Sequence, residues 1–121
     1  MANILVVDDA PETLAIMKKA LGMISHQVTT CANPLQALER LGSEKFDLVF
    51  LDIMMPGMDG LELCQKIRAG ELNRDVKIVI FSAKSDTELV RLAKTFGADF
   101  YLSKPAQVAK IHEITRRMVG G

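Results

Sequence analysis

A chain of 121 residues is long enough for one compact domain and leaves little room for a second, so residues 1–121 are expected to form a single domain. Its 15 basic and 15 acidic side chains cancel, which leaves no basic field for nonspecific contact with a polyanion, and direct nucleic-acid binding is not expected. The N-terminus carries Asp8 and Asp9 where a signal peptide would still be apolar, and no apolar run reaches the roughly 20 residues of a membrane span. Cys31 and Cys64 lack the spacing of a metal or redox motif and are expected to be small buried apolar residues. These features predict a soluble cytoplasmic protein without membrane insertion.

Short apolar runs rich in β-branched residues alternate along the chain with longer stretches of helical periodicity. In chain order, the runs cover residues 4–7, 27–31, 46–51, 76–81 and 100–102. Such alternation predicts consecutive βα units around a parallel sheet. The third and fourth runs are apolar on both faces, as in strands covered by helices on both sides. The sequence therefore predicts an α/β protein with a three-layer α/β/α fold.

Apolar side chains between these runs recur at spacings of three and four residues, which predicts helices packed against the sheet. Three such sets are Leu14, Met17, Leu21 and Ile24; Leu89, Leu92, Ala93 and Phe96; and Val108, Ile111, Thr115 and Met118. Local signals mark helix ends. Asn33 and Pro34 predict an N-cap and the first helical residue, Ser85 with Glu88 predicts a capping box, and Gly97 predicts a left-handed C-terminal cap.

Five polar residues are predicted to converge at the carboxyl edge of the sheet, where open parallel sheets form their ligand sites. They are Asp8 and Asp9 after the first strand, Asp52 after the third, Ser82 after the fourth and Lys104 after the fifth. Any one of them alone would be an ordinary solvated strand end. Three carboxylates brought together repel one another, and a hard divalent cation with oxygen ligands, best matched by Mg²⁺, relieves that repulsion. A lysine and a hydroxyl in the same place supply the charge and the hydrogen-bond donor that a phosphoryl group needs.

Four segments of the sequence resemble the receiver domains of two-component signalling. They are VVDDAPE after the first strand, FLDIMMPGMDG across the third strand and its loop, FSA after the fourth, and GADFYLSKP around the fifth. Together and in this order the segments are highly specific, whereas the DD pair alone would be weak. The resemblance covers the whole chain and implies a flavodoxin-like (βα)5 fold with strand order 2-1-3-4-5. It also implies a phosphoacceptor switch whose only chemistry is phosphorylation and self-dephosphorylation, not an enzyme with a separate substrate.

The same resemblance implies a role for each acidic residue. Asp52 would accept the phosphoryl group, and Mg²⁺ would be held by Asp8, Asp9 and Asp52. One of the first two would contact the ion directly and the other through water. The backbone carbonyl of Met54 would complete the metal site.

On the other side of the site, the resemblance implies a switch. Ser82 and Lys104 would close onto phosphoryl oxygens, with Ser82 standing where threonine is more usual, and Tyr101 would turn its ring inward upon activation. The changed surface would be formed by the fourth helix, fifth strand and fifth helix. The Lys104-Pro105 peptide would be cis. Ala106 stands where such proteins often have phenylalanine, which removes bulk from the start of the last helix.

The resemblance to receiver domains also implies that the side chains two residues after Asp52 and two residues after Ser82, here Met54 and Lys84, flank the path of water toward a phosphorylated Asp52. Met54 offers no acceptor to orient an attacking water, and Lys84 could pair with a phosphoryl oxygen. Together they predict slow self-hydrolysis, which suits a phosphorelay intermediate. The alternative is that both residues are neutral loop surface.

Two other classes of protein share part of this pattern. A haloacid-dehalogenase-type phosphatase also uses an aspartate nucleophile with Mg²⁺, but it needs a second acid two residues later, where this chain has Met54, and room for a substrate cap. A pseudo-receiver that only binds would be favoured by loss of Asp52 or Lys104, and both are present. For a receiver, the phosphodonor would be a sensor histidine kinase or phosphotransfer protein and the output a downstream protein effector. An end at Gly121 predicts a stand-alone regulator, although a receiver cut from a longer protein would look the same.

Overall fold

Five β-strands alternate with five α-helices in the computed structural model, which describes residues 1–84 and 86–120. The elements are β1 (Asn3–Val7), α1 (Pro11–Gly22), β2 (Gln27–Cys31), α2 (Pro34–Ser43), β3 (Leu48–Leu51), α3 (Gly60–Ala69), β4 (Lys77–Ser82), α4 (Thr87–Thr95), β5 (Phe100–Ser103) and α5 (Val108–Val119). No helix among these described residues has the length and apolar character needed to cross a membrane.

The strands form one parallel sheet in the order β2-β1-β3-β4-β5, which confirms the predicted fold. Helices cover both faces and create two cores. On one face, α2, α3 and α4 contribute Ala37, Leu41, Leu63, Cys64, Ile67 and Ala93. On the other, α1 and α5 contribute Met17, Ala20, Leu21, Ile111 and Ile114.

The central strand β3 shows why its sequence is apolar at every position. Val49 and Leu51 face the α2/α3/α4 core, whereas Leu48 and Phe50 face the α1/α5 core. All four are at most 1% exposed. Burying each large apolar side chain contributes about 1.5–3 kcal/mol, so a polar residue would be costly on either face.

Helix ends follow the predicted local signals in most cases. The side chain of Asn33 accepts a hydrogen bond from the Gln36 N–H at the start of α2. Gly97 adopts φ +107° just after α4, a conformation that glycine reaches without steric cost. Ser85, the first residue of the predicted capping box, lies outside the described residues, and Asp86 caps α4 by accepting from the Leu89 N–H.

The sequence pattern predicts that the first helix extends to Ile24, and this prediction is wrong. Helix α1 ends at Gly22, and Ile24 lies in the turn that follows. Ser25 has φ +66°, which no right-handed helix can accommodate, so the chain turns there toward β2.

Candidate functional site

Backbone hydrogen bonds at the carboxyl edge of the sheet bring the predicted site residues together. The Asp52 N–H donates to the Val7 carbonyl at 3.0 Å, which sets the end of β3 beside the end of β1 and therefore beside Asp8. The Lys104 N–H donates to the Ser82 carbonyl at 2.8 Å, which joins the ends of β4 and β5 in the same way. The hydrogen bonds between parallel strands therefore fix the backbone positions from which the side chains of the site extend.

Three carboxylates meet at this edge, as the sequence predicts. Asp8, Asp9 and Asp52 each offer an oxygen, and these atoms lie within 4.8 Å of one another. Asp8 and Asp52 are buried, whereas Asp9 is exposed. Such a donor set fits a hard cation that binds few protein carboxylates and keeps part of its water shell, as Mg²⁺ does.

The two buried carboxylates each use one oxygen to accept a backbone hydrogen bond. Oδ1 of Asp8 accepts from the Ala10 N–H at 2.9 Å, and Oδ1 of Asp52 accepts from the Met54 N–H at 3.1 Å. The second bond also brings the Met54 peptide beside the acidic cluster. In both aspartates it is the other oxygen, Oδ2, that faces the Lys104 ammonium.

The ammonium of Lys104 lies against both of those oxygens. Its Nζ is 2.6 Å from Oδ2 of Asp8 and 3.4 Å from Oδ2 of Asp52. Burial alone would lower the pKa of Lys104, but the hydrogen bond to Asp8 and the charge of Asp52 outweigh it and raise that pKa. Burial raises the pKa of Asp52, while the Met54 N–H and the Lys104 charge oppose the rise. Lys104 therefore stays cationic at neutral pH and favours the ionised form of Asp52.

The loop after β3 is held close to Asp52 by Gly60, which was not singled out from the sequence. The Gly60 N–H donates to the Ile53 carbonyl at 2.9 Å, and Asp59 caps the helix that begins there. A Cβ on Gly60 would lie 2.3 Å from the Asp52 carbonyl oxygen and 2.7 Å from the Ile53 Cα. Only glycine permits this approach of two backbone segments. The Asp-Gly pair at a helix start was the available signal.

On the β4–β5 side, Ser82 is fully buried, and its hydroxyl accepts from the Lys84 N–H at 3.3 Å. The Tyr101 hydroxyl donates to the Lys84 carbonyl, so the Tyr101 ring lies beside Ser82. Burial raises the pKa of Tyr101. The Lys104-Pro105 peptide is cis.

The two residues predicted to flank the water path lie at the rim. Met54 is 53% exposed, and Lys84 is exposed in the loop after β4. The hydrogen bonds that tie these two residues to the site are made by their backbone groups: the Met54 N–H donates to Asp52, and the Lys84 N–H donates to Ser82.

Comparison with known proteins agrees with this geometry. The family model described as response regulator receiver domain matches residues 4–116. Among curated relatives, Two-component response regulator ORR21 of Oryza sativa subsp. indica is 33% identical over 97% of this chain. Sporulation initiation phosphotransferase F of Bacillus subtilis (strain 168) is 28% identical over 95% of this chain. The chain spans 91% of the Bacillus protein but only 17% of the rice regulator.

A solved structure with the same fold is the receiver domain of sensor histidine kinase PA1611 from Pseudomonas aeruginosa PAO1. It superposes with a TM-score of 0.91 at 28% identity, covering 99% of this chain and 98% of that one. That receiver has a magnesium ion coordinated in its active-site cleft. The family match across nearly the whole chain, with the acidic cluster and lysine at the carboxyl edge, leads to one conclusion: the chain belongs to the response-regulator receiver family of two-component signalling, whose members are phosphoacceptor switches.

Proposed function

We propose that Asp52 accepts a phosphoryl group and that Mg²⁺ is held there by Asp8, Asp9, Asp52 and the backbone carbonyl of Met54. The observation that carries the proposal is the placement of one Asp52 oxygen 3.4 Å from the Lys104 ammonium, inside a cluster of three carboxylates. A nucleophile, a cation and a set of oxygen ligands are thereby within reach of one incoming group.

In the proposed reaction, Oδ2 of Asp52 attacks phosphorus, and an acyl phosphate forms as the bond from phosphorus to the donor breaks. From a phosphohistidine, the leaving imidazole nitrogen keeps the bonding electron pair and takes up a proton. Lys104 donates hydrogen bonds to the transferring oxygens, where negative charge must be balanced. When bound, Mg²⁺ would supply further positive charge at the same oxygens.

The phosphoryl group carries about −1.5 to −2 charges in place of the single negative charge of the Asp52 carboxylate, and Ser82 and Lys104 are the groups that can meet its oxygens. Because Ser82 contacts Lys84 and Tyr101 is bonded to Lys84, a shift of Ser82 would reach the surface of α4, β5 and α5. Arg91, Lys94 and Lys110 are exposed on these helices and are the proposed contacts for a downstream protein effector.

The proposed phosphodonor is a sensor histidine kinase or a phosphotransfer protein. Receivers of this family interact with such donors and with downstream effectors. A cytoplasmic location belongs to the same proposal, supported by two free, buried cysteines that suit a reducing compartment.

The deciding experiment is incubation with a small acyl phosphate and Mg²⁺. We expect one phosphoryl group per chain, labile to base and hydroxylamine, and lost with a chelator. Asp52→Asn should abolish labelling, whereas Asp75→Asn, which changes an exposed acid after α3, should leave it intact. The proposal would be overturned if Asp52→Asn were labelled at the wild-type level, or if labelling of the wild type were unchanged by the chelator.

A further inference from the structure

The Lys104 ammonium has an aromatic neighbour in addition to its two carboxylates. Phe81 directly precedes Ser82 in β4, and its ring centroid lies 5.3 Å from Lys104 Nζ. Phe81 is only 7% exposed and packs in the α1/α5 core. The ring is therefore held in place by the surrounding core, and its face is available to the Lys104 ammonium.

The α1/α5 core holds both aliphatic and aromatic side chains, so packing alone does not favour one kind over the other at position 81. Val79, two residues earlier in β4, faces the same core and is aliphatic. A phenyl ring differs from an aliphatic side chain in the negative potential of its face, which attracts a cation within about 6 Å of the centroid. The geometry at Phe81 meets that criterion.

The surroundings of this pair favour the attraction. A cavity of about 180 Å³ lies beside Phe81 and Lys104, and its other lining residues are apolar except for Thr13. The Lys104 side chain is 20% exposed, so part of its solvent shell is already removed. A cation–π contact gains strength when the cation is desolvated.

We propose that Phe81 is a positioning residue that keeps the Lys104 ammonium at the reaction site while the charges of its other partners change. The inference rests on the proposed phosphoryl transfer. During that reaction an Asp52 oxygen becomes part of an acyl phosphate, and Asp8 would serve as a metal ligand, so the charges that face the Lys104 ammonium change on both carboxylates. The ring face keeps its attraction for the ammonium throughout.

The test replaces Phe81 site-specifically with mono-, di- and trifluorinated phenylalanine, which keeps the shape of the ring while weakening the negative potential of its face. Phosphorylation by a small acyl phosphate with Mg²⁺ is followed over a range of donor concentrations. We expect the maximal rate to fall stepwise, by about two- to tenfold for the trifluorinated ring. The matched control is the same series at Phe50, a buried phenylalanine of the same core. A series at Phe81 that is flat, or that parallels the series at Phe50, would overturn the proposal.

A second readout does not depend on phosphorylation. The side-chain methylene of Lys104 is bonded to Nζ, which lies 5.3 Å from the Phe81 ring centroid, and we expect it to show a ring-current shift in its NMR signal. We expect Phe81→Leu to remove that shift, with and without Mg²⁺, and Phe50→Leu to leave it unchanged. An unchanged Lys104 signal in Phe81→Leu would refute the contact. A wild-type protein that accepts no phosphoryl group would instead refute the proposed function, and the Lys104 signal would still decide whether the ring holds the ammonium.

Discussion

The hydroxyl of Tyr101 donates a hydrogen bond to the backbone carbonyl of Lys84, two residues beyond Ser82. The Ser82 hydroxyl in turn accepts from the Lys84 N–H, so a single residue of the loop links the proposed switch residue to the proposed phosphoryl ligand. Serine at position 82 lacks the methyl group of threonine, and the position is fully buried. The space beside Ser82 therefore decides how closely the Tyr101 ring can approach.

We predict that Ser82→Thr displaces the Tyr101 ring outward, because the added methyl group needs space that the ring borders. Burial raises the pKa of Tyr101, so displacement should return that pKa toward its ordinary value. The chain has one tyrosine and no tryptophan, which makes an ultraviolet pH titration specific for Tyr101. Ser82→Ala is the control, because it adds no bulk, and its tyrosine pKa should stay raised. Equal tyrosine titration in wild type and Ser82→Thr would contradict the prediction.

A second prediction concerns the lifetime of the phosphorylated protein. Met54 and Lys84 lie exposed at the rim; the thioether sulfur of Met54 is only a weak acceptor and the Lys84 ammonium has none, so neither orients an attacking water well. We expect the double variant Met54→Asn with Lys84→Glu to hydrolyse its acyl phosphate about tenfold faster, equivalent to about 1.4 kcal/mol of barrier. Dephosphorylation after donor removal measures this. Hydrolysis at or below the wild-type rate would show that the two residues are neutral loop surface.

A third prediction follows from the close approach at Gly60. Gly60→Ala places a Cβ against the Asp52 and Ile53 backbone, so the loop must move. We expect a loss of about 1–3 kcal/mol in the free energy of unfolding and slower phosphorylation, because Asp52 is displaced. Gly42→Ala is the matched control in α2, where a Cβ meets nothing within 4 Å, and it should stabilise the protein by up to about 1 kcal/mol. Similar unfolding curves for the two variants would disprove the steric argument.

A fourth prediction concerns alkaline pH. Burial raises the pKa of Cys64 from a usual value of 9.0 to about 11. Below pH 9.0 the thiol is neutral in both states, and its contribution to stability is fully present. Between 9.0 and about 11 the unfolded thiol ionises while the folded one does not, so stability falls with rising pH.

The expected loss from Cys64 is about 2–3 kcal/mol by pH 11. Urea unfolding of wild type and Cys64→Ala under reducing conditions, at pH 7, 9 and 11, isolates this contribution, because all other titrating groups are shared. The difference in free energy of unfolding between wild type and Cys64→Ala should become smaller between pH 9 and pH 11. An advantage that stays constant with pH would exclude Cys64 as the source.

The sequence by itself determined the strands and the edge at which the site forms. Strand β3 is apolar at every position because helices cover both faces of the sheet, and this pattern can be recognised in the sequence alone. The convergence of Asp8, Asp52 and Lys104 followed from their positions after strands, since parallel strands present their carboxyl ends at one edge. The strand order came from the resemblance to receiver domains, because apolar periodicity does not distinguish one order of parallel strands from another.

Only the tertiary structure decided which atoms meet within that edge. Lys104 lies closer to Asp8 than to Asp52, the Phe81 ring lies near its ammonium, and the Gly60 backbone approaches Asp52 too closely for a side chain. These relationships join residues far apart in the chain through side-chain packing, whereas sequence patterns report neighbours and periodicities. The distances between these atoms depend on how helices and strands pack against one another. Local sequence patterns do not specify that packing.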